Sequence, residues 1–190
     1  MELTREAALA LLQKYNKEPF HIQHALTVEG VMRWYAGELG FEAEADFWAL
    51  CGLLHDVDFE QYPDQHCKKA PELLAEVSAS SEMVHAICSH GYGLCSDVEP
   101  VTNLEKSLYA VDELTGIIQA AARMRPAGIT DMEISSFMKK FKDKKFAAKC
   151  DREVIKKGCE MLGMEVKEVA AICIEAMKEY ADELQIGVKA

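Results

Sequence analysis

The chain has 190 residues, 49% of them hydrophobic and 28% charged, with a formal net charge of -11. That composition belongs to a globular chain long enough to bury a core without disulfides or structural metal, and its acidity argues against broad binding to nucleic acid or an anionic membrane. No stretch approaches 18 uninterrupted apolar residues, so no membrane span is expected, and the opening MELTREAALALL reads as a helix rather than a signal peptide.

Helical signals follow one another along the chain. Thr4 can cap a helix running to about Asn16, with Ala8, Leu9, Leu11, Leu12 and Tyr15 on its apolar face. A second helix is expected from about His21 through Trp34 to Leu39, ending at Gly40. The third spans Glu42 to Leu54 and delivers His55 and Asp56 in its last turn. Residues 57–65, which include Pro63, read as a loop; a short helix follows over Glu72 to Val77 behind Pro71, and another over Ser81 to His90, stopped by GYG. TNLE (Thr102, Glu105) and TDME (Thr130, Glu133) each fit a capping box. Asp151 can cap a helix ending at Gly163, and the last helix, about Val166 to Gln185, carries Val169, Cys173, Met177, Tyr180 and Leu184 on one stripe. Strand-period runs are scarce, and there is no repeat, low-complexity segment or linker. The expectation is an all-α helical bundle, a single domain over residues 1–190, with a core at about 20–125 and C-terminal helices over 126–190 packing on it.

Polar residues on apolar faces carry the chemistry. His24 shares a face with Val28, Val31 and Tyr35, and Asp112 lies among Leu104, Leu108, Val111, Thr115 and Ile118. His55 and Asp56 end an apolar run and so begin at the core wall. Each alone has an ordinary explanation: a hydrogen-bonded core histidine, a cap, half an ion pair. Together, four inward polar groups are costly unless something compensates them. One divalent metal would satisfy all four, and the two-imidazole, two-carboxylate set suits Mn²⁺, Fe²⁺, Co²⁺, Ni²⁺ or Zn²⁺ better than Ca²⁺, with Mg²⁺ also to be tested. The seven cysteines (Cys51, Cys67, Cys88, Cys95, Cys150, Cys159 and Cys173) form no CxxC pair and leave one over. They read as reduced, buried small residues in a cytoplasmic protein.

HALTV opening a helix, then LLHDVD, then the aspartate of YAVDELTG resemble the H…HD…D signature of the HD-domain metal-dependent phosphohydrolases, over about residues 20–125. The resemblance implies an all-α fold of HD type, with His24, His55, Asp56 and Asp112 as ligands of one divalent metal and room for a second. It implies hydrolysis of a phosphate ester, a nucleotide or related small molecule, by metal-activated water; monoester and diester both stay open. Two alternatives come from the same superfamily, a dinuclear-iron oxygenase and a non-catalytic nucleotide-binding module. The implied partner is a small molecule, not extended nucleic acid or a membrane, and the chain is a monomer or homodimer.

Further candidates surround the quartet. Some relatives hold a second metal through extra histidines, and His66, His85 and His90 are available. His85 and His90, five residues apart, sit about 140° apart on a helix. His90, beside Gly91, is the one expected to face the site as ligand, phosphate donor or proton shuttle; its ordinary reading is a histidine favoured at a helix C-terminus. Asp58 is the candidate general base, or else a carboxylate that orients a ligating imidazole. Glu60 and His66 read as loop, and His21 as a capping or surface residue. The stretch from Phe137 to Glu153 is rich in lysine against an acidic background. If it folds over the metal, Lys144 and Lys145, with Arg125, would hold phosphate; the plainer reading is a solvated face.

Overall fold

The computed structural model describes residues 3–188, and among them are nine α-helices and no extended strand. In chain order these are α1 (Arg5–Tyr15), α2 (Pro19–Glu38), α3 (Ala45–Leu54), α4 (Ala70–Ala75), α5 (Ser81–Ser89), α6 (Asn103–Arg123), α7 (Ile134–Lys142), α8 (Arg152–Leu162) and α9 (Val166–Glu179). Short 3₁₀ turns at Glu42–Glu44 and Pro63–Gln65 complete the set. The all-α bundle is therefore what the periodicity predicted.

The long helices α2 and α6 form the spine. α2 packs on α3, α6 and α9, while α8 lies along α6. Their shared core includes Val28, Val31, Tyr35, Leu53, Leu108, Val111 and Ile118, all fully buried. Two glycines set the closest approaches. A Cβ on Gly52 of α3 would lie 2.7 Å from the Val28 carbonyl oxygen of α2. A Cβ on Gly158 of α8 would lie 2.6 Å from Ala110 Cα of α6. Backbone meets backbone at both points, so neither residue can carry a side chain without parting the helices.

Most helix starts follow the predicted caps. Thr4 accepts the Ala7 N–H, Ser80 accepts that of Met83, and Asp151 accepts those of Glu153 and Val154. The TNLE box forms in full: Thr102 Oγ1 accepts the Glu105 N–H at 3.3 Å, and Glu105 Oε2 accepts the Thr102 N–H at 2.9 Å. α2 begins at Pro19, earlier than His21, because proline's fixed φ and missing N–H suit a first turn.

Two expectations are corrected. TDME forms no capping box: Glu133 is itself the N-cap of α7 and makes no side-chain cap bond. Arg125 grips Asp131 at 2.6 Å, and the Ile129 N–H donates to the Ile186 carbonyl at 2.8 Å, so residues 125–131 are held as a docked turn. The last helix ends at Glu179 rather than Gln185. Beyond it the chain turns, with Gln185 at φ +53°, so that Ile186 can pair with that same turn.

Gly52→Ala should destabilise the fold by about 2 kcal/mol, as overpacking does, although alanine is the better helix former by about 1 kcal/mol; a lowered thermal midpoint checks this. Glu105 supplies an acid-range test. Burial raises its carboxyl, but the N–H groups of Thr102 and Val101 and the ring of His85 together hold it below the usual range. A carboxyl depressed in the folded state contributes stability that is present above its unfolded pKa, about 4.3. That stability is lost as pH falls through the lower, folded value. Glu105→Gln, which keeps a capping side chain but cannot titrate, should flatten the loss of stability below about pH 4.3 in denaturant titrations.

Candidate metal centre

Three helices bring the expected quartet together. His24 of α2 places Nε2 2.9 Å from Asp112 Oδ1 of α6 and 3.1 Å from Nε2 of His55, the residue that ends α3. His55 Nε2 is in turn 3.4 Å from Asp112 Oδ1 and 3.4 Å from Asp56 Oδ2. Asp56 Oδ2 lies 3.7 Å from His24 Nε2. Residues 88 apart in sequence thus meet because Gly52 lets α3 press on α2 while α6 covers the other side.

The arrangement continues past the quartet. Asp56 turns its other oxygen, Oδ1, to His66 Nε2 at 3.4 Å and His90 Nε2 at 3.5 Å, and those two nitrogens are 3.1 Å apart. Asp56 therefore stands between two pairs of imidazoles. His90 was expected at the site, whereas His66, read from sequence as loop, is a member the sequence argument missed.

Ring orientation shows what this space can hold. His55 Nδ1 donates to the Gly52 carbonyl at 2.7 Å, and His90 Nδ1 donates to the Ile87 carbonyl at 2.5 Å. A carbonyl only accepts, so the Nδ1 atoms carry the protons and the Nε2 lone pairs face inward. His66 Nδ1 is held at 2.8 Å by Asp58 Oδ1. Lone pairs 3.1 Å apart repel unless a proton or a cation lies between them. The titration pattern agrees. Burial lowers His55, yet Asp56 and Asp112 outweigh it and raise the ring well above its usual value. His66 is raised too, against burial, by Asp58 and Asp56. Burial would raise Asp56 and Asp112, but His55 and its neighbours hold both well below the carboxylate range. The chemistry of the donor set thus calls for positive charge at its centre, and it fits a divalent ion.

Loop contacts fix the second pair. Asn16 Nδ2 donates to the Val57 carbonyl at 3.0 Å. Glu60 accepts the N–H groups of Lys17 at 2.9 Å and Glu18 at 3.1 Å, and takes His21 Nδ1 at 2.9 Å. Glu60 therefore caps the start of α2 and ties the segment after Asp56 to the helix that bears His24. His21 is its capping partner.

Other expected residues fall as follows. Asp58 is fully buried behind His66, with Oδ2 unpartnered, so it orients that ring rather than facing solvent as a base would. His85 turns away to Glu105 Oε1 at 2.7 Å. Arg125 is not at the cluster: it is engaged by Asp131 and lies 13 residues beyond Asp112 on the α6 path, roughly 20 Å at helical rise. Lys144 and Lys145 are exposed on the turn after α7, and neither side chain contacts the cluster. That turn does end near the site, where the Asp151 N–H donates to Glu113 beside Asp112 at 3.3 Å. Burial, then the Asp112 charge, push the Glu113 carboxyl up to about 7. A lysine the sequence argument passed over, Lys157 of α8, sets Nζ 4.4 Å from the ring centre of Tyr92 and 5.8 Å from that of Tyr109, one turn before Asp112. Phe20 and Phe59 are exposed aromatics nearby, linked through His21, and Phe59 meets the His66 ring edge-on at 5.1 Å.

Comparison with curated proteins and with solved structures gives no match. A family model for the HD domain matches residues 21–117, about half of the chain, running from α2 through the helix that carries Asp112. Those residues include every histidine and carboxylate of the cluster, and the chain belongs to the HD-domain family.

Proposed function

We propose that this protein is a metal-dependent phosphohydrolase acting on a small phosphate ester, a nucleotide or a relative of one, with its ion held by His24, His55, Asp56 and Asp112. What carries the reading is the convergence of inward Nε2 lone pairs and two carboxylates whose ion-pair partners are imidazoles rather than lysine or arginine. A divalent ion there polarises a phosphoryl oxygen and lowers the pKa of a coordinated water. The chain's own contribution is geometric: Gly52 and Ile87 carbonyls fix the tautomers of His55 and His90, and Asp58 fixes His66. The second imidazole pair extends the reading to a second ion, with Asp56 shared between the two. Lys157, rather than Lys144, Lys145 or Arg125, is the cation we assign to the phosphate. Seven free cysteines agree with a cytoplasmic enzyme.

One observation also favours the dinuclear oxygenase reading: four imidazoles around one aspartate supply the histidines that such a centre requires. Visible absorbance from bound iron, together with oxygen consumption and no phosphate release, would select it.

The deciding assay loads the protein with Mn²⁺, Co²⁺, Ni²⁺ or Mg²⁺ and measures turnover of nucleotides and generic phosphoesters. Turnover is expected with at least one ion and should fall to background in His55→Ala. Full metal occupancy without turnover of any ester overturns the reading. Asp58→Asn tests the division of labour. Acting through His66, it should weaken metal affinity about 10–100-fold and recover kcat at saturating metal. A general base would instead lose kcat with affinity intact.

A further inference from the structure

Sulfur borders the half of the centre formed by His66 and His90. Cys67 directly follows His66 and is 3% exposed. Its Sγ lies 3.9 Å from His90 Nε2. Ligand-capable atoms of His66, Cys67 and His90 all lie within 4.8 Å of one another. Around a tetrahedral ion with bonds of about 2.3 Å to sulfur and about 2.0 Å to nitrogen, the sulfur–nitrogen edge is roughly 3.6 Å. Closing the observed separation to that edge takes a shift of a few tenths of an ångström.

The backbone is arranged around this sulfur. Cys67 sits at φ +64°, a region that a residue with a Cβ rarely adopts and that surrounding structure must hold. Gly91, next to His90, leaves the space: a Cβ there would lie 2.7 Å from Cys67 Sγ and 2.5 Å from Cys95 Sγ. The two sulfurs fill the volume that any other side chain at 91 would claim. The Cys95 thiol is placed to donate to Cys67 Sγ at 3.5 Å, the kind of outer hydrogen bond that steadies a ligating sulfur. The Cys88 thiol holds the Cys67 carbonyl at 3.3 Å, and so the turn itself.

We infer that Cys67 is a thiolate ligand of the second ion, beside His66, His90 and the shared Asp56; this rests on the metal-centre reading above. As the metal–sulfur bond forms, the Cys67 S–H bond breaks and its proton passes to solvent. The two halves of the centre are then chemically unequal. The His24, His55 and Asp112 side offers only nitrogen and oxygen, whereas the His66 and His90 side adds a soft donor. That second position selects Zn²⁺, Fe²⁺ or Co²⁺ over Mg²⁺ or Mn²⁺.

The test titrates the metal-free full chain with Co²⁺ under reducing conditions, reading bound cobalt by elemental analysis and sulfur-to-cobalt charge transfer in the near-ultraviolet. Two ions should bind, and one of them should bring the charge-transfer band. Cys67→Ser should abolish the band, Cys173→Ser should keep it, and His66→Ala should lose both the band and one ion. Two ions without a band, or a band that survives Cys67→Ser, overturns the thiolate ligand and leaves the metal centre standing. Failure of cobalt to bind at all overturns both. One ion without a band overturns the second position. Should Cys67→Ser fold poorly, alkylation of the wild-type protein decides. Saturating Co²⁺ should shield Cys67 in the peptide map, and equal labelling with and without cobalt overturns the inference.

Discussion

The approach of α3 to α2 governs what can happen at the centre. Gly52 sits where its missing Cβ would collide with the Val28 carbonyl, one turn beyond His24 on α2. The same residue lies one turn before His55, and its own carbonyl takes the His55 Nδ1 proton. One glycine therefore sets both the distance between the two histidines and the tautomer of one of them. α6 then needs only to lie across α2 for Asp112 to complete the contact, and its own position is locked by the equally close packing of Gly158 against Ala110. The centre is precise because three backbones, which cannot bend like side chains, carry its geometry.

Electrostatics explains why that precision is tolerated. Burying carboxylates and imidazoles costs several kcal/mol per charge unless each finds a partner. The protein supplies no lysine or arginine ion pair here; it pairs these groups only with one another. Protons bound to His55 and His66 balance the charge when nothing else does, which is why both rings are raised while Asp56 and Asp112 are depressed. A divalent ion replaces those protons with a larger charge at the point where the lone pairs converge. The metal's binding strength should therefore depend on how many protons it must displace, and so on pH.

The parts of this picture that were legible in sequence are those carried by helices. His24 and Asp112 lie on apolar stripes, and a polar residue in a 3.6-residue apolar pattern announces itself. His55 and Asp56 stand at the end of an apolar run, which marks the core wall. Caps at Thr4, Thr102 and Asp151 were readable for the same local reason. His66, Glu60 and Cys67 were not, because loop residues leave no periodic trace; their roles depend on where Asn16, Lys17 and Gly91 meet them in space. Composition exposed the lysine-rich segment but not the path of its chain, so Lys144 and Lys145 were drawn to a site they do not reach. Arg125 lost its assignment to Asp131, a partner six residues away that looked like part of a helix cap.

The two halves of the centre also differ in how solvent reaches them. Side-chain exposure is 15% for His24, 18% for Asp56 and 20% for Asp112, but 0% for His55 and 3% for His90. Water and any small ligand therefore meet the cluster on the side of α2 and α6, not from behind α3 or α5. Phe20, one turn before His24, and Glu113, next to Asp112, stand at the helical positions that flank this opening. The loop that carries Asp58, Glu60 and His66 is pinned to α1 and α2 at its far side, so it closes the floor of the site instead of gating it. A ligand's reacting phosphate then has a fixed floor of imidazoles beneath it. Its remaining atoms extend across the helical rim, so selectivity must come from rim side chains rather than from the residues that hold the ion.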